Sequence, residues 1–301
     1  MIKQSAIGKA SIMAVLGQRM ARWGHGWARF VRTQPLGTVG LVICVFVIVV
    51  GVISPWIGRY DPELVRTADR LQGPSATHWF GTDHLGQDMY SRIVNGTRVS
   101  LSVAFFSIGL GTTAGYVLGV VSGYIGGKTD IVIQRVVDAL LSFPSLLKAL
   151  IIVSVLGAGL AQVIFAISFS LVAGAARVSR GVTLSVKENV YVDAARVIGA
   201  SPLRIMLRHV LPNAASVYLI LASVALGGAI LTEASLSFLG LGVPPPHPSW
   251  GRDLAGNVSN YMLINPWLAV FPGLAIMLVV LGFNLFGDAL RDVWDPKLRG
   301  R

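Results

Sequence analysis

Charge is scarce in this chain. Asp, Glu, Lys and Arg make up 13% of 301 residues, against 53% hydrophobic residues, and the mean hydropathy is +0.67. So few polar groups cannot cover a globule in water, which leaves lipid as the solvent for most of the surface. Cysteine is almost absent. Cys44 stands alone inside the first apolar run, which excludes a disulfide framework and a thiolate metal cluster. Residues 1–34 contain no acid at all. The net charge of +11 is concentrated beside apolar runs rather than along a soluble face, and nucleic acid is not an expected partner.

What is abundant is long uncharged sequence. Residues 33–58, 99–127, 149–176, 209–232 and 254–289 lack Asp, Glu, Lys and Arg, apart from Asp288, and each exceeds the roughly 20 residues that cross a hydrocarbon core. The third pattern starts earlier, at Ile131, interrupted only by Arg135, Asp138 and Lys148. As one straight helix it would be about 70 Å long, more than twice the core thickness. It must therefore fold back, and the uncharged, glycine-broken 156–162 is the place to do so. Charge bias gives the same count. Residues 1–34 carry six bases and no acid, 58–98 five of each, and 177–208 six bases against two acids. Basic segments stay in the cytosol, and an even number of crossings must separate Lys128 from Arg177. The expectation is an all-α membrane protein with six transmembrane helices and both termini cytosolic. A basic segment 1–34 precedes the first helix at 35–57, which is too long and too late to be a cleaved signal. An external loop at 58–98 leads to a five-helix core at 99–289. That core carries a cytosolic loop at 177–213 and an external segment at 239–266, and a cytosolic tail follows at 290–301.

Gly111, Gly115, Gly119, Gly123 and Gly127 recur every fourth residue. They predict a smooth stripe on the second helix against which a neighbouring backbone packs, in a medium that supplies no hydrophobic drive. Pro144 predicts a kink in the third helix. Lys148 lies deep in that helix, where an ammonium costs about 2.5–3.5 kcal/mol, and is expected to face a water-filled pathway or a neighbouring subunit. Glu233, at the outer end of the fifth helix, is expected at the interface rather than buried.

Few residues suggest chemistry. GGKT at 126–129 has Ser122 where a phosphate loop needs glycine and follows a membrane span instead of a strand, so no ATP site is expected. His25, His78, His84, His209 and His247 lack metal-ligand spacing, and no acid–base or nucleophile cluster is apparent.

The exception to the apolar pattern is YVDAARVIGASPLRIMLRHVLPNA, 191–214. Val190, Ala194, Val197 and Ile198 share one helical face, and Gly199 can end that helix in the left-handed conformation. Ser201 is then an N-cap with Pro202 at the first helical position. Leu203, Met206, Leu207 and Val210 form the next apolar stripe, with Arg204 and Arg208 on a polar face. Such a corner suits a partner's groove or the membrane surface equally well.

DAARVIGASPLRIMLRHVLP resembles the cytoplasmic coupling motif of bacterial ABC importer permeases. Asp193, Ala194 and Ala195 open it, with Asp193 replacing the usual glutamate. Gly199 falls in register, and Leu211 with Pro212 closes it; Arg196, Ser201 and Arg204 lie within. His209 stands where many importers have isoleucine. GTDHLGQDMYSRIVNGTRVSL (81–101), ILTEASLSFLGLGVPPPHPSWG (230–251) and FPGLAIMLVVLGFNLFGDALRDVWDPKLRG (271–300) are similar to the C-type subunit of dipeptide and oligopeptide permeases. Gln87 and Lys148 depart from that subunit's usual arginine and apolar residue.

The resemblance implies a type I ABC importer permease in the bacterial cytoplasmic membrane. A paralogous permease would complete the channel, two cytosolic ABC ATPases would bind ATP and Mg, and an extracytoplasmic binding protein would deliver the solute. The chain itself would carry no cofactor and no catalytic residue. The solute would be a peptide, or a nickel chelate or glutathione as in related systems. A self-sufficient ion-coupled transporter is the alternative class, and it would need more midplane acids than Asp138 and Glu233. The resemblance further implies that 239–266 is partly re-entrant; an ordinary interfacial loop with Trp250 and Tyr261 at headgroup level fits its composition as well.

Overall fold

A computed structural model describes residues 30–294. Its main elements are α1 (Pro35–Ile57), α2 (Met89–Ile125), α3 (Gly127–Leu141), α4 (Ser145–Leu156), α5 (Leu160–Val186), α6 (Val190–Val197), α7 (Pro202–Phe238), α8 (Trp250–Tyr261) and α9 (Trp267–Trp294). Among the described residues the only β pairing is an isolated bridge between Thr82 and Asp88. Helices α1, α2, α5, α7 and α9 are each long and apolar enough to cross a membrane, and α3 with α4, bent by 88°, are together long and apolar enough for a sixth, broken crossing.

The seam between α2 and α5 organises the bundle. A Cβ added to Gly111, Gly115 or Gly119 would come closer than 3.0 Å to the carbonyl oxygen of Ser168, Val172 or Ala176 respectively, and Gly123 faces the Arg180 carbonyl at 3.0 Å. Both sets of numbers advance by four, so backbone lies on backbone and the two helices run parallel. Parallel neighbours require the chain to return between them. It does so through α3 and α4, and it reverses at Gly157 (φ +86°) and Gly159, within the stretch expected to fold back.

Gly127 does not belong to this seam. Helix α2 ends at Ile125, and Gly126 and Gly127 take φ of +70° and +55° with open space around them. They make the sharp joint into α3, so four glycines form the stripe where five were expected. Pro144 does more than kink a helix. It stands between α3 and α4 with ψ of 139°, because its ring excludes the preceding turn and it has no N–H to give. Helix α2 also begins earlier than the uncharged run. Asp88 accepts the Ser91 N–H at 2.8 Å as its N-cap, and the buried charge of Arg92 that follows is absorbed by partners described below. The expected external loop therefore loses its last part to helix.

Helix α1 is antiparallel to α9, with Gly37 against Ala289 and Gly40 against Phe286. Residues 35 and 294 consequently lie at the end of the bundle that carries α6, and the 58–88 loop and α8 lie at the other. Of the expected basic segment and tail, residues 1–29 and 295–301 lie outside the described residues.

Helix α7 runs unbroken from the corner into the membrane span, where two separate helices were expected. Met206–Val210 is a π-turn in which the Leu211 N–H reaches Met206 O. The wide turn lies directly before Pro212, whose missing N–H would otherwise interrupt an α-helix.

Gly115→Leu should abolish recovery of folded protein, since its side chain would meet Val172 O and the Ala175 methyl, whereas Gly109→Ala, with nothing within 4 Å, should be neutral or stabilising by up to about 1 kcal/mol. Thermal unfolding in detergent distinguishes the two.

Candidate functional site

Three sites stand out, at the two ends of the bundle and in its middle. At the first end, α6 is short and double-faced. Val192 and Ala195 are buried against Tyr116, Val120, Ile205, Val210 and Ala214. The Tyr116 hydroxyl donates to Leu211 O, which ties α2 to the foot of α7. On the other face Val190, Val197 and Ile198 are 83%, 87% and 82% exposed, and Ala194 is exposed beside them. The apolar face read from the sequence is thus real, but it turns away from the chain's own core.

The corner is built by a helix-ending motif. Ala200 N–H bonds Ala195 O at 3.0 Å and Gly199 N–H bonds Arg196 O at 3.0 Å, the paired bonds of a Schellman motif with glycine in the left-handed position. Gly199 has φ of +81° and no atom within 4 Å of an added Cβ, so the backbone conformation requires glycine here and crowding does not. Ser201 caps the next helix by accepting the Arg204 N–H at 3.4 Å, with Pro202 at its first position. The stripe expected on that helix divides. Val210 turns inward and Met206 partly so, while Leu203 and Leu207 are exposed, and the inward side gains Ile205. Asp193 and Arg196 pair at 2.7 Å on the surface, an exposed contact that contributes about 0–1 kcal/mol. Arg204, Arg208 and Pro212 are exposed. The result is an apolar ridge of Val190, Val197 and Ile198 edged by charge, with Leu203 and Leu207 bare on the next helix.

At the opposite end, α8 is clamped into the bundle. The Arg92 guanidinium, 1% exposed, donates to Asp253 Oδ1 through Nε (3.0 Å) and Nη2 (2.6 Å), and through Nη1 to Pro62 O and Gln87 Oε1, both at 2.9 Å. Gln87 in turn donates to Glu63 O at 3.1 Å. Glu233 is fully buried, not interfacial. Its carboxylate accepts hydroxyls from Ser100 (2.9 Å), Ser237 (2.8 Å) and Ser249 (3.1 Å). Three donors replace the water it has lost. Trp250 is likewise buried within the protein, its indole N–H bonding Ile93 O at 2.9 Å. His78 pairs with Asp88 at 2.8 Å, and His84 stacks on Tyr261. Sequence reasoning missed the Arg92–Asp253 and Glu233–serine clusters because their members are far apart in the chain. The one local signal was Ser237, a helical turn after Glu233.

Midway along the bundle, Lys148 is only 8% exposed and donates from Nζ to Leu140 O at 2.9 Å. That carbonyl is the one Pro144, four residues on, cannot satisfy. Lys148 therefore bridges the break between α3 and α4 and places its charge at the carbonyl end of α3, where cations are favoured. It also lines a cavity of about 470 Å³ together with Thr112, Ser145, Ser170, Leu221 and Val224, among others.

The family described as "Binding-protein-dependent transport system inner membrane component" matches residues 115–300. Three similar proteins carry the description "Glutathione transport system permease protein GsiD". The one from Pectobacterium atrosepticum is 42% identical over 278 residues, covering 92% of each chain. That from Shigella boydii is 41% identical over 299 residues, 99% of this chain and 98% of its own. That from Escherichia coli O6:K15:H31 is 43% identical over 279 residues, 92% and 91% respectively.

Asp253→Ala should destabilise the protein by about 3–5 kcal/mol, because it strands a buried guanidinium, and the double change Arg92→Met with Asp253→Leu should recover most of that loss. Chemical denaturation in detergent measures both.

Proposed function

Since this chain belongs to the binding-protein-dependent transport system inner membrane components, we propose that its α6–α7 corner is the surface through which a cytosolic ATPase drives it. The chain is a permease subunit of an ABC importer of the peptide and glutathione import family, a multi-pass inner-membrane protein and a transport component. Such a subunit works in a system with a partner permease, an ATPase and a binding protein. The finer reading is that two ATPases bind ATP and Mg, that this chain holds no cofactor, and that the corner and both termini are cytosolic. The charge bias of residues 1–34 and 177–208 supports that sidedness.

The observation that carries the coupling role is the exposed apolar ridge. Soluble surface rarely spends three aliphatic side chains at more than four-fifths exposure on little more than two turns of helix, and burying each in a groove is worth about 1.5–3 kcal/mol. Asp193, Arg196 and Arg204 edge the ridge and would set its register in that groove. Tyr116, Val192, Ile205 and Val210 tie the ridge to α2 and α7, so a push on the corner moves the spans as a unit. The cavity beside Lys148 is read as part of the solute's path, since residues of α2, α3, α4, α5 and α7 line it at mid-span. Glutathione and small peptides are the solutes in view, on the strength of the relatives' descriptions.

Val197→Asp or Ile198→Asp should leave the permease in the membrane and lower its affinity for the ATPase by tenfold or more, about 1.4 kcal/mol or greater. Asp193→Lys should weaken docking less. Co-purification from membranes, with ATP-driven uptake in proteoliposomes, checks both; unchanged recovery of ATPase and unchanged uptake in the Asp variants would contradict the coupling role.

A further inference from the structure

Resting on the importer reading above, we infer that the Lys148 ammonium serves as a passing counter-ion for a carboxylate of the transported solute. Lys148 is a charged side chain buried midway through a broken span. An ammonium there is costly unless something compensates it. The acidic groups of the neighbouring helices are engaged elsewhere. Asp138 pairs with Arg177, Asp130 with Arg180 at 2.6 Å, and Glu233 with three serines. No carboxylate among the described residues lies within ion-pair distance of Lys148.

What Lys148 has is a single carbonyl, Leu140 O. An ammonium carries three N–H donors, so two remain for another acceptor. The side chain borders a cavity of about 470 Å³, within the range of small-molecule sites. Thr112 from α2, Ser145 from α4 and Ser170 from α5 supply hydroxyls to its wall, and Leu221 and Val224 from α7 make it otherwise apolar. Leu141 and Phe143 on its lining are exposed, so the cavity is not sealed. A solute with a carboxylate and an apolar or polar-uncharged body matches that wall. One charge pair with no second cation also suits passage, since a transport site must hold its cargo weakly enough to release it.

The alternative is a structural lysine that serves only the α3–α4 break or an acid on the partner permease. The two are separated in the complete importer reconstituted into proteoliposomes. The solutes are a small peptide with a free terminal carboxylate and its terminal amide, a pair that the binding protein holds, both supplied at saturating receptor. Lys148→Met should reduce uptake of the acid by about tenfold per complex and change uptake of the amide little. Lys148→Arg, which keeps the charge, should restore the acid. Equal loss for both peptides would overturn the pairing, as would fewer assembled complexes with an unchanged acid-to-amide ratio. Absence of ATP-driven uptake by the wild-type complex would instead bring down the importer reading itself.

Discussion

The parallel contact of α2 with α5 is the constraint on which the rest of this structure depends. Lipid offers no hydrophobic reward for bringing helices together, so close approach of backbones supplies the attraction. Glycine at every fourth position of α2 permits that approach along four successive turns. Because the two helices run in the same direction, the chain has to cross back between them. The broken α3–α4 segment is the consequence, and it is where the buried Lys148 and the mid-span cavity occur. The α6 corner hangs from the same seam, since α5 delivers the chain to it and Tyr116 of α2 fastens the foot of α7.

The two ends of the bundle are built on opposite terms. At the end that carries α8, polar groups are buried and joined by long-range hydrogen bonds, with Asp253 Oδ2 and Asn257 Oδ1 left without a partner. Arg92, Asp253, Gln87, Glu233 and three serines knit the 58–88 loop, α2, α7 and α8 into one body. At the α6 end, apolar groups are left bare. A clamped face at one end and an exposed ridge at the other suit the proposed device, which receives force at one end and keeps its shape at the other.

Much of this was legible from the residues. The stretches free of charge located the spans, and the basic bias of 1–34 and 177–208 gave an even count that the parallel seam independently requires. Gly199, Ser201 and Pro202 announced the corner, because helix ends obey local rules of backbone sterics and capping. Long-range polar pairing was not legible. Glu233 read as interfacial because sequence shows its charge but not the hydroxyls of Ser100 and Ser249 that fold around it. Gly127 read as a fifth member of the stripe because periodicity cannot see that Gly126 has already turned the chain. Pro144 announced a disturbance, but its size, a break in place of a kink, depends on how α4 packs against α5. The face of α6 was correctly grouped, yet whether it pointed inward or outward rested on tertiary packing.

Coupling through the corner requires the α6 ridge to face the cytosol and to meet the ATPase there. Its most direct test places one thiol at the ridge, Ile198→Cys in a background with Cys44→Ser, and measures reactivity in oriented membranes. The expected result is labelling by an impermeant thiol reagent from the cytosolic side alone, with protection when the ATPase is bound. Labelling from the exterior, or equal labelling with and without the ATPase, would contradict it.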